Sequence, residues 1–515
     1  VGCKTKTFDS IHLLKGEVIH LKKRAIVIGA GLAGMSAAIR LAGDGYAVTM
    51  LEKNANVGGK LNQRSGKGFT FDTGPSILTM PWVLEQLFSS VHRNLDDYLE
   101  IERIEPQWRT FFEDGTKIDV KGDLPGMLEE VEQISSRADF VELFRYSKQM
   151  YDLCLDSFYK YSLEDLKDLK KYHTMSDLLK MDPMNTVATG TKKHLNNPYL
   201  EQLFNYMVMY VGSNPYQAPA VFNQMIYVQM GLGIYYVKGG MYQIARAMKR
   251  LLDELRVTVH LNSPVEQIVL ENKKAVGVLS NGTFHAADIV VSNLEVIPTY
   301  ERIVPEKKAR KQAKKLQASF APSVSGLVLL LGVNREYSGL AHHNFFFSEN
   351  PEREFAQMFK EGTPPEDPTI YVGVSSKSDA SQAPDGKDNL FVLTHVPPLT
   401  LQKGEVDWDA YREVVLDKLE RMGLYGLRES IEFEYRFTPE DLKDLYGPNG
   451  GSIYGVAADR KKNGGFKIPS KSELYEGLYF VGGSTHPGGG VPMVTLSGQL
   501  TADLIRKHEG AIPTP

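Results

Sequence analysis

Gly29, Gly31 and Gly34 stand in the run Gly29-Ala30-Gly31-Leu32-Ala33-Gly34, directly after the apolar residues Ala25, Ile26, Val27 and Ile28. This is G-x-G-x-x-G between a strand pattern and a helix pattern, the context in which the motif binds a dinucleotide. Gly29 permits the tight turn, Gly31 lets the backbone approach a pyrophosphate, and Gly34 lets the helix pack closely on the strand. Ala33, Ser36, Ala37 and Ala38 keep that helix face small. The helix N-terminus offers free N–H groups and a positive dipole end to the phosphates. A turn at Gly43-Asp44-Gly45 returns the chain to a second strand over residues 47–51, followed by Glu52 and Lys53. A carboxylate at Glu52 can accept both hydroxyls of an adenosine ribose.

These residues need a sheet to hold them, and its other strands lie far away in sequence. A strand pattern over residues 478–481 leads into Gly482-Gly483-Ser484-Thr485-His486-Pro487-Gly488-Gly489-Gly490-Val491-Pro492-Met493, and a helix is predicted over 494–506. A second helix N-terminus thus faces an anion. Strand patterns over 257–261, 264–268 and 287–293, with a hairpin-like stretch at 275–281, rebuild the same domain in the middle of the chain. The nucleotide domain is therefore expected to comprise residues 22–95, 235–300 and 470–506. Residues 96–234 and 301–469 are expected to form a substrate and membrane-contact domain, with 1–21 an N-terminal extension and 507–515 a disordered tail.

The 515 residues carry 59 Lys and Arg against 63 Asp and Glu, a net charge of −4, so the basic excess of a nucleic-acid binder is missing. No uncharged apolar run reaches the roughly 18–20 residues of a spanning helix. Cys3 and Cys154 are the only cysteines, which excludes a disulfide framework and a cysteine-based zinc site. His342 and His343 are adjacent and point oppositely on an extended strand, so no metal site is expected. Residues 202–237 contain no Asp, Glu, Lys, Arg or His. Pro215, Pro219, Gly231 and Gly233 break the stretch, so it is not one helix. It reads as core packing, or as the lining of a long apolar cavity or a membrane-dipping face, with Tyr210 a substrate contact. Phe345, Phe346 and Phe347 cannot all face one core because strand side chains alternate. They and Trp108 are expected to border the substrate. Lys307, Lys308, Arg310, Lys311, Lys314 and Lys315 form either a solvated helix face or a contact with anionic lipid.

Asn56-Val57-Gly58-Gly59-Lys60 resembles the double-glycine motif of the large FAD family that includes amine oxidases and carotenoid desaturases. Such enzymes usually carry Arg where Lys60 stands; lysine keeps the charge and loses the guanidinium fork. Gly68-Phe69-Thr70-Phe71-Asp72-Thr73-Gly74-Pro75-Ser76, Tyr236-Val237-Lys238-Gly239-Gly240-Met241-Tyr242 and the segment from Thr485 complete a resemblance to the bacterial carotenoid desaturase and oxidase family, from about residue 22 to 506. Within it, Pro75-Ser76-Ile77-Leu78-Thr79-Met80-Pro81, Glu295-Val296-Ile297-Pro298-Thr299-Tyr300 and Pro492-Met493-Val494-Thr495 look most like the diapocarotenoid oxygenases.

The resemblance implies an α/β fold: a Rossmann-like FAD-binding domain of the glutathione-reductase/amine-oxidase type with a discontinuous α+β substrate domain. It places FAD against Gly29, Ala30, Gly31, Leu32, Ala33, Gly34, Glu52, Lys53, Gly58, Gly59, Lys60, Gly74, Pro75 and Ser76. It adds Val265 through its backbone, and Gly482, Gly483, Ser484, Val491, Pro492 and Met493. Many relatives hold an acid at Gly483. The implied activity is oxidation of the terminal methyl group of a thirty-carbon diapocarotenoid, 4,4′-diaponeurosporene or diapolycopene, to an aldehyde. The carotenoid would come from the bilayer through peripheral contact with the cytoplasmic, inner face of the cell membrane. Molecular oxygen or another acceptor would take the electrons. His486 is either the proton-handling side chain or a hydrogen-bonded loop histidine. Two other readings stay open: a desaturase that adds double bonds to a thirty- or forty-carbon polyene, and a non-catalytic prenyl or lipid escort protein.

Overall fold

The computed structural model describes residues 22–163 and 166–510, with side chains for all of these except residue 166. The expected extension, residues 1–21, lies outside the described residues. Five parallel strands form the first sheet, in the order Thr258–His260, Ala47–Leu51, Arg24–Ile28, Ile289–Ser292, Leu478–Phe480. Ala25, Ile26, Val27 and Ile28 are all buried, as a strand covered on both faces must be. A three-stranded antiparallel sheet, Val265–Glu271, Lys274–Ser280 and Thr283–Ala286, accompanies it.

The helix Leu32–Gly43 packs against the last helix, Val491–Glu509. Small residues allow the approach: a Cβ on Gly498 would sit 2.4 Å from the Ala33 carbonyl oxygen. The Ser36 hydroxyl donates to the Thr495 carbonyl at 2.6 Å, and Arg40 meets Asp503 at 2.7 Å. The helix starts three residues earlier than the sequence pattern predicts and ends three later. The expectation of disorder from residue 507 is corrected as far as Glu509. The Tyr479 hydroxyl donates to the Glu509 carboxylate at 3.0 Å and Lys23 donates to its carbonyl at 2.6 Å, tying the last turn down. Residues 511–515 lie outside the described residues.

The second large sheet has seven strands, in the order Ile431–Phe437, Ser325–Val333, Asp388–Val396, Ile370–Gly373, His343–Phe346, Trp108–Phe111, Lys117–Val120. Alternation along these strands separates two apolar faces. Leu327, Leu329, Leu331, Phe346, Ile370, Val372 and Val392 pack with Tyr411, Val415, Leu416 and Leu419 of the helix Trp408–Arg421. Val328, Phe345, Tyr371, Phe391, Leu393 and His395 lie on the other face, toward a cavity shared with the five-stranded sheet. The charge-free stretch 202–237 becomes short pieces: the end of the helix Pro198–Tyr206, 3₁₀ turns Met207–Val211 and Ala220–Asn223, the helix Gln224–Met230 and the strand Ile234–Val237.

Candidate active site

One cavity of about 460 Å³ runs from the glycine turn to the seven-stranded sheet. Its first end is polar. Gly29, at φ +91°, makes the turn after the first strand. Gly31 stands at the helix start and caps it with no side chain; Asn293 Oδ1 takes the Gly34 N–H at 2.9 Å, and the helix N–H groups ahead of Gly34 remain for a ligand. Glu52 is buried on the cavity wall; its Oε2 accepts the Ala30 N–H at 2.7 Å and its Oε1 the Asn54 N–H at 2.9 Å. Both oxygens keep lone pairs, as a ribose acceptor needs.

The double glycine lies under the same turn. The Gly58 N–H donates to the Ala30 carbonyl at 2.8 Å, and a Cβ on Gly59 would come within 3.1 Å of Gly31 Cα. Gly74 lies so close to the Lys60 carbonyl that a Cβ would be 1.9 Å away. Lys60 does not reach for a ligand through a fork. Its Nζ donates to the carbonyls of Ser452 at 2.8 Å and Ile453 at 2.9 Å, and lies 3.9 Å from Glu295. Burial pushes the lysine down and the glutamate up, while each charge offsets the shift of the other. Glu295 also accepts the Asn449 N–H at 3.1 Å and the Ser452 hydroxyl at 3.3 Å.

The C-terminal glycine segment closes the cradle. A Cβ on Gly483 would fall 2.8 Å from the Tyr454 carbonyl oxygen, and one on Gly489 would fall 2.5 Å from it. This crowding is the physical reason that an acid at position 483 does not suit this chain. Gly482, Gly483, Gly489, Gly490, Val491 and Val494 reach the cavity wall. Ser484, Pro492 and Met493 do not: the Ser484 hydroxyl accepts the Val296 N–H at 3.2 Å, and Met493 packs in a separate cluster with Tyr159 and Val228. Ala30 and Gly34 act through the backbone, Gly34 donating to Asn293 Oδ1 at 2.9 Å. Leu32, Ala33, Lys53, Pro75, Ser76 and Val265 all face the cavity.

The other end is aromatic. The Trp108 ring lies 4.1 Å from that of Phe345, tilted by 40°, and 5.8 Å from that of Tyr210, and all three line the cavity. Tyr206, Tyr371, Phe391 and Tyr454 complete the walls. Two expected substrate contacts are corrected. Phe346 points to the far side of its sheet and stacks on Phe111 at 4.6 Å, because it alternates with Phe345. Phe347 shares the inner side but is fully buried behind the wall, stacked on Phe112 at 5.1 Å. Of the two readings of His486, its placement matches the hydrogen-bonded loop histidine. It is buried, its Nε2 lies 2.8 Å from the Phe158 carbonyl, and burial pulls it down to about 4. The glycines after it, not its ring, face the cavity.

Sequence reasoning missed Asn293, Glu295, Tyr371, His395 and Tyr454 as cavity residues. Asn293 carried a signal: it ends a strand that must lie beside Arg24–Ile28. The Tyr371 hydroxyl lies 2.8 Å from both Ser76 Oγ and His343 Nδ1, a link among three distant segments. His342 bonds instead to the Ser378 hydroxyl at 2.7 Å, and burial lowers both histidines far below the usual range.

The arrangement suits a dinucleotide at one end and an extended apolar molecule at the other. The flavin containing amine oxidoreductase family matches residues 32–506. The chain is 46% identical to a 4,4′-diapolycopene oxygenase of Methylomonas sp. over 489 residues, 94% of this chain and 98% of that protein. It is 43% identical to a 4,4′-diaponeurosporene oxygenase of Staphylococcus aureus over 501 residues, 95% and 99% of the two chains. An oxidoreductase of Methanosarcina mazei shares the fold, with a TM-score of 0.60 at 19% identity over 93% of this chain and 100% of that one. The residues of the cradle fit a flavin dinucleotide, since Gly31, Gly59 and Gly74 leave no room for side chains where its backbone walls are closest. The chain therefore belongs to the flavin containing amine oxidoreductase family: it is an oxidoreductase, and FAD is its cofactor.

Proposed function

We propose that the protein oxidises the terminal methyl group of a thirty-carbon diapocarotenoid to an aldehyde. The observation that carries this reading is likeness along nearly the whole chain to two oxygenases named for such carotenoids. The cavity supports it, because one continuous space joins the dinucleotide cradle to a wall of Trp108, Tyr206, Tyr210, Phe345 and Phe391. Aromatic walls of this kind take a long apolar polyene and exclude water. FAD would supply the acceptor for a hydride from the methyl group; an oxygen nucleophile such as water captures the allylic cation and releases a proton, and a second two-electron oxidation takes the alcohol to the aldehyde. In this reading the helix start at Gly31 and Leu32 holds the pyrophosphate, Glu52 the ribose, and Val265 the adenine through its backbone. Lys60, paired with Glu295 and hydrogen-bonded to two carbonyls, fixes the loop 452–453 against the cradle. Molecular oxygen or another acceptor removes the electrons.

The test is expression in cells that make 4,4′-diaponeurosporene, followed by mass analysis of the pigments. A product heavier by one oxygen and lighter by two hydrogens is expected. Products that only lose pairs of hydrogens would make the protein a desaturase instead.

The substrate also sets the location. Each buried CH₂ of a hydrocarbon is worth roughly 0.8 kcal/mol, so the carotenoid stays in the bilayer and the enzyme works at the inner face of the cell membrane. No helix among the described residues is long and apolar enough to cross a membrane. The helix Lys307–Ser319 supports a peripheral contact. It buries Ala309, Ala313 and Leu316 and exposes all six basic residues. Among the described residues none of the six has an ion-pair partner. Tyr161, Tyr172, Met175, Leu179 and Met184 are exposed as well, and the two tyrosines stack at 4.1 Å. Flotation with anionic liposomes is expected to show two parts. One part is lost at high salt, where screening acts within about 8–10 Å, and on changing Lys307, Lys308, Lys311 and Lys314 to Gln. The other part resists salt. No flotation at any salt would overturn the membrane contact; flotation indifferent to salt and to the four changes would remove the basic helix from it.

A further inference from the structure

We infer that His395, held by Tyr206, forms a subsite in the cavity wall that binds the oxygen-bearing end of a partly oxidised carotenoid. The inference rests on the reading of terminal oxidation and adds to it a residue that recognises the oxygen. His395 lies on the strand Asp388–Val396, on the same face as Phe391 and Leu393, and all three line the cavity. Its side chain is 5% exposed, and its Nδ1 is 3.1 Å from the Tyr206 hydroxyl.

The direction of that hydrogen bond follows from the two rings. Tyr206 is buried, and burial raises its phenol well above the usual range, so it keeps its proton. The phenol has one hydrogen to give, and His395 Nδ1 is the hydrogen-bond partner its hydroxyl has among the described residues. Tyr206 therefore donates and Nδ1 accepts. Burial also pulls His395 down to about 4, so its ring is neutral and carries one N–H. With Nδ1 accepting, that hydrogen sits on Nε2. Among the described residues, this Nε2 has no partner.

A buried N–H without an acceptor is rare in a folded protein and calls for a ligand or another function. Of the neighbouring hydroxyls, those of Tyr210 and Tyr371 are engaged: Tyr210 donates to Gln229 at 3.0 Å, and Tyr371 is shared between Ser76 and His343. The Tyr454 hydroxyl has no hydrogen-bond partner among the described residues, so Tyr454→Phe is the control that separates its contribution from that of His395. The donor also sits beside the cradle: the His395 ring is 6.3 Å from that of Tyr454, whose carbonyl supports Gly483 and Gly489. A terminal methyl group offers Nε2 nothing to bind. The same end carrying a hydroxyl or carbonyl oxygen offers an acceptor. The subsite thus holds the once-oxidised end near the cofactor while the hydrocarbon end passes without a polar contact.

The test uses the flavin-loaded protein with two probes, all-trans-retinal and its hydrocarbon counterpart ending in a methyl group. Binding is read by energy transfer from tryptophan, since Trp108 lines the cavity. Wild type is expected to bind retinal roughly threefold to tenfold more tightly than the hydrocarbon, the worth of one neutral hydrogen bond. His395→Phe and Tyr206→Phe should each bring the ratio of the two affinities to about one. His395→Gln, which keeps an N–H donor, should restore the preference. If His395→Phe does not fold, Tyr206→Phe decides, because it removes only a hydroxyl. A wild type without preference, or Phe variants that retain it, would overturn the subsite. A wild type that makes no oxygenated pigment yet shows the His395-dependent preference would overturn the reaction and leave the subsite standing.

Discussion

Gly31→Val is expected to purify colourless. The Gly31 backbone sits at φ −72° and ψ 170°, which any residue adopts, so the change does not strain the chain. The obstacle is space. A Cβ at this position would come 2.8 Å from Asn293 Oδ1, and the backbone of Gly59 is so close that a Cβ there would come within 3.1 Å of the Gly31 Cα. Two more methyl groups must then occupy the gap where the helix start meets the ligand. Flavin absorbance per mole of protein should fall to near zero, while far-ultraviolet circular dichroism stays close to wild type. A fully flavinated variant would mean that the pyrophosphate does not cross Gly31.

Phe346→Ala should cost more stability than Phe345→Ala, even though the two residues are neighbours. Phe346 is fully buried against Phe111, Leu331 and the helix Trp408–Arg421, and truncation of such a side chain costs roughly 3–5 kcal/mol. Phe345 faces the cavity, so its removal enlarges an existing space. Phe345→Ala should keep most of its stability and change carotenoid turnover. Denaturant midpoints of the two variants, compared with pigment yields, check both statements. Equal losses would mean that the face assignment along this strand is wrong.

The contrast between these two residues marks the limit of what was legible before the structure. Alternation told that Phe345 and Phe346 oppose each other; it could not tell which one meets the cavity, because both faces of the sheet are apolar. The cradle was easier to read. Its glycines, the strand before them and Glu52 lie within 28 residues of one another, so local spacing carries the geometry. The aromatic end joins the strands Trp108–Phe111, His343–Phe346 and Asp388–Val396, and no local pattern links them. His395 is one histidine in a buried apolar strand, and its meaning depends on Tyr206, 189 residues away. The double-glycine segment is a middle case. The motif drew attention to Lys60, which lines the cavity, but the carbonyls of Ser452 and Ile453 that occupy its Nζ belong to a remote loop. His486 was singled out by proximity in sequence, and the backbone rather than its ring turned toward the cavity.

The packing of the helix Leu32–Gly43 on the helix Val491–Glu509 bears on synthesis as well as on the folded state. The first helix leaves the ribosome before the surface it packs on, from Thr495 and Gly498 to Asp503, because 459 residues separate Ser36 from Thr495. Until then its Ser36 and Arg40 face has no partner and the glycine segment 482–490 cannot close over the dinucleotide. A polypeptide released before residue 482 would lack the second glycine segment of the cradle and is expected not to retain flavin, so truncated products would leave the cell's supply of the cofactor untouched.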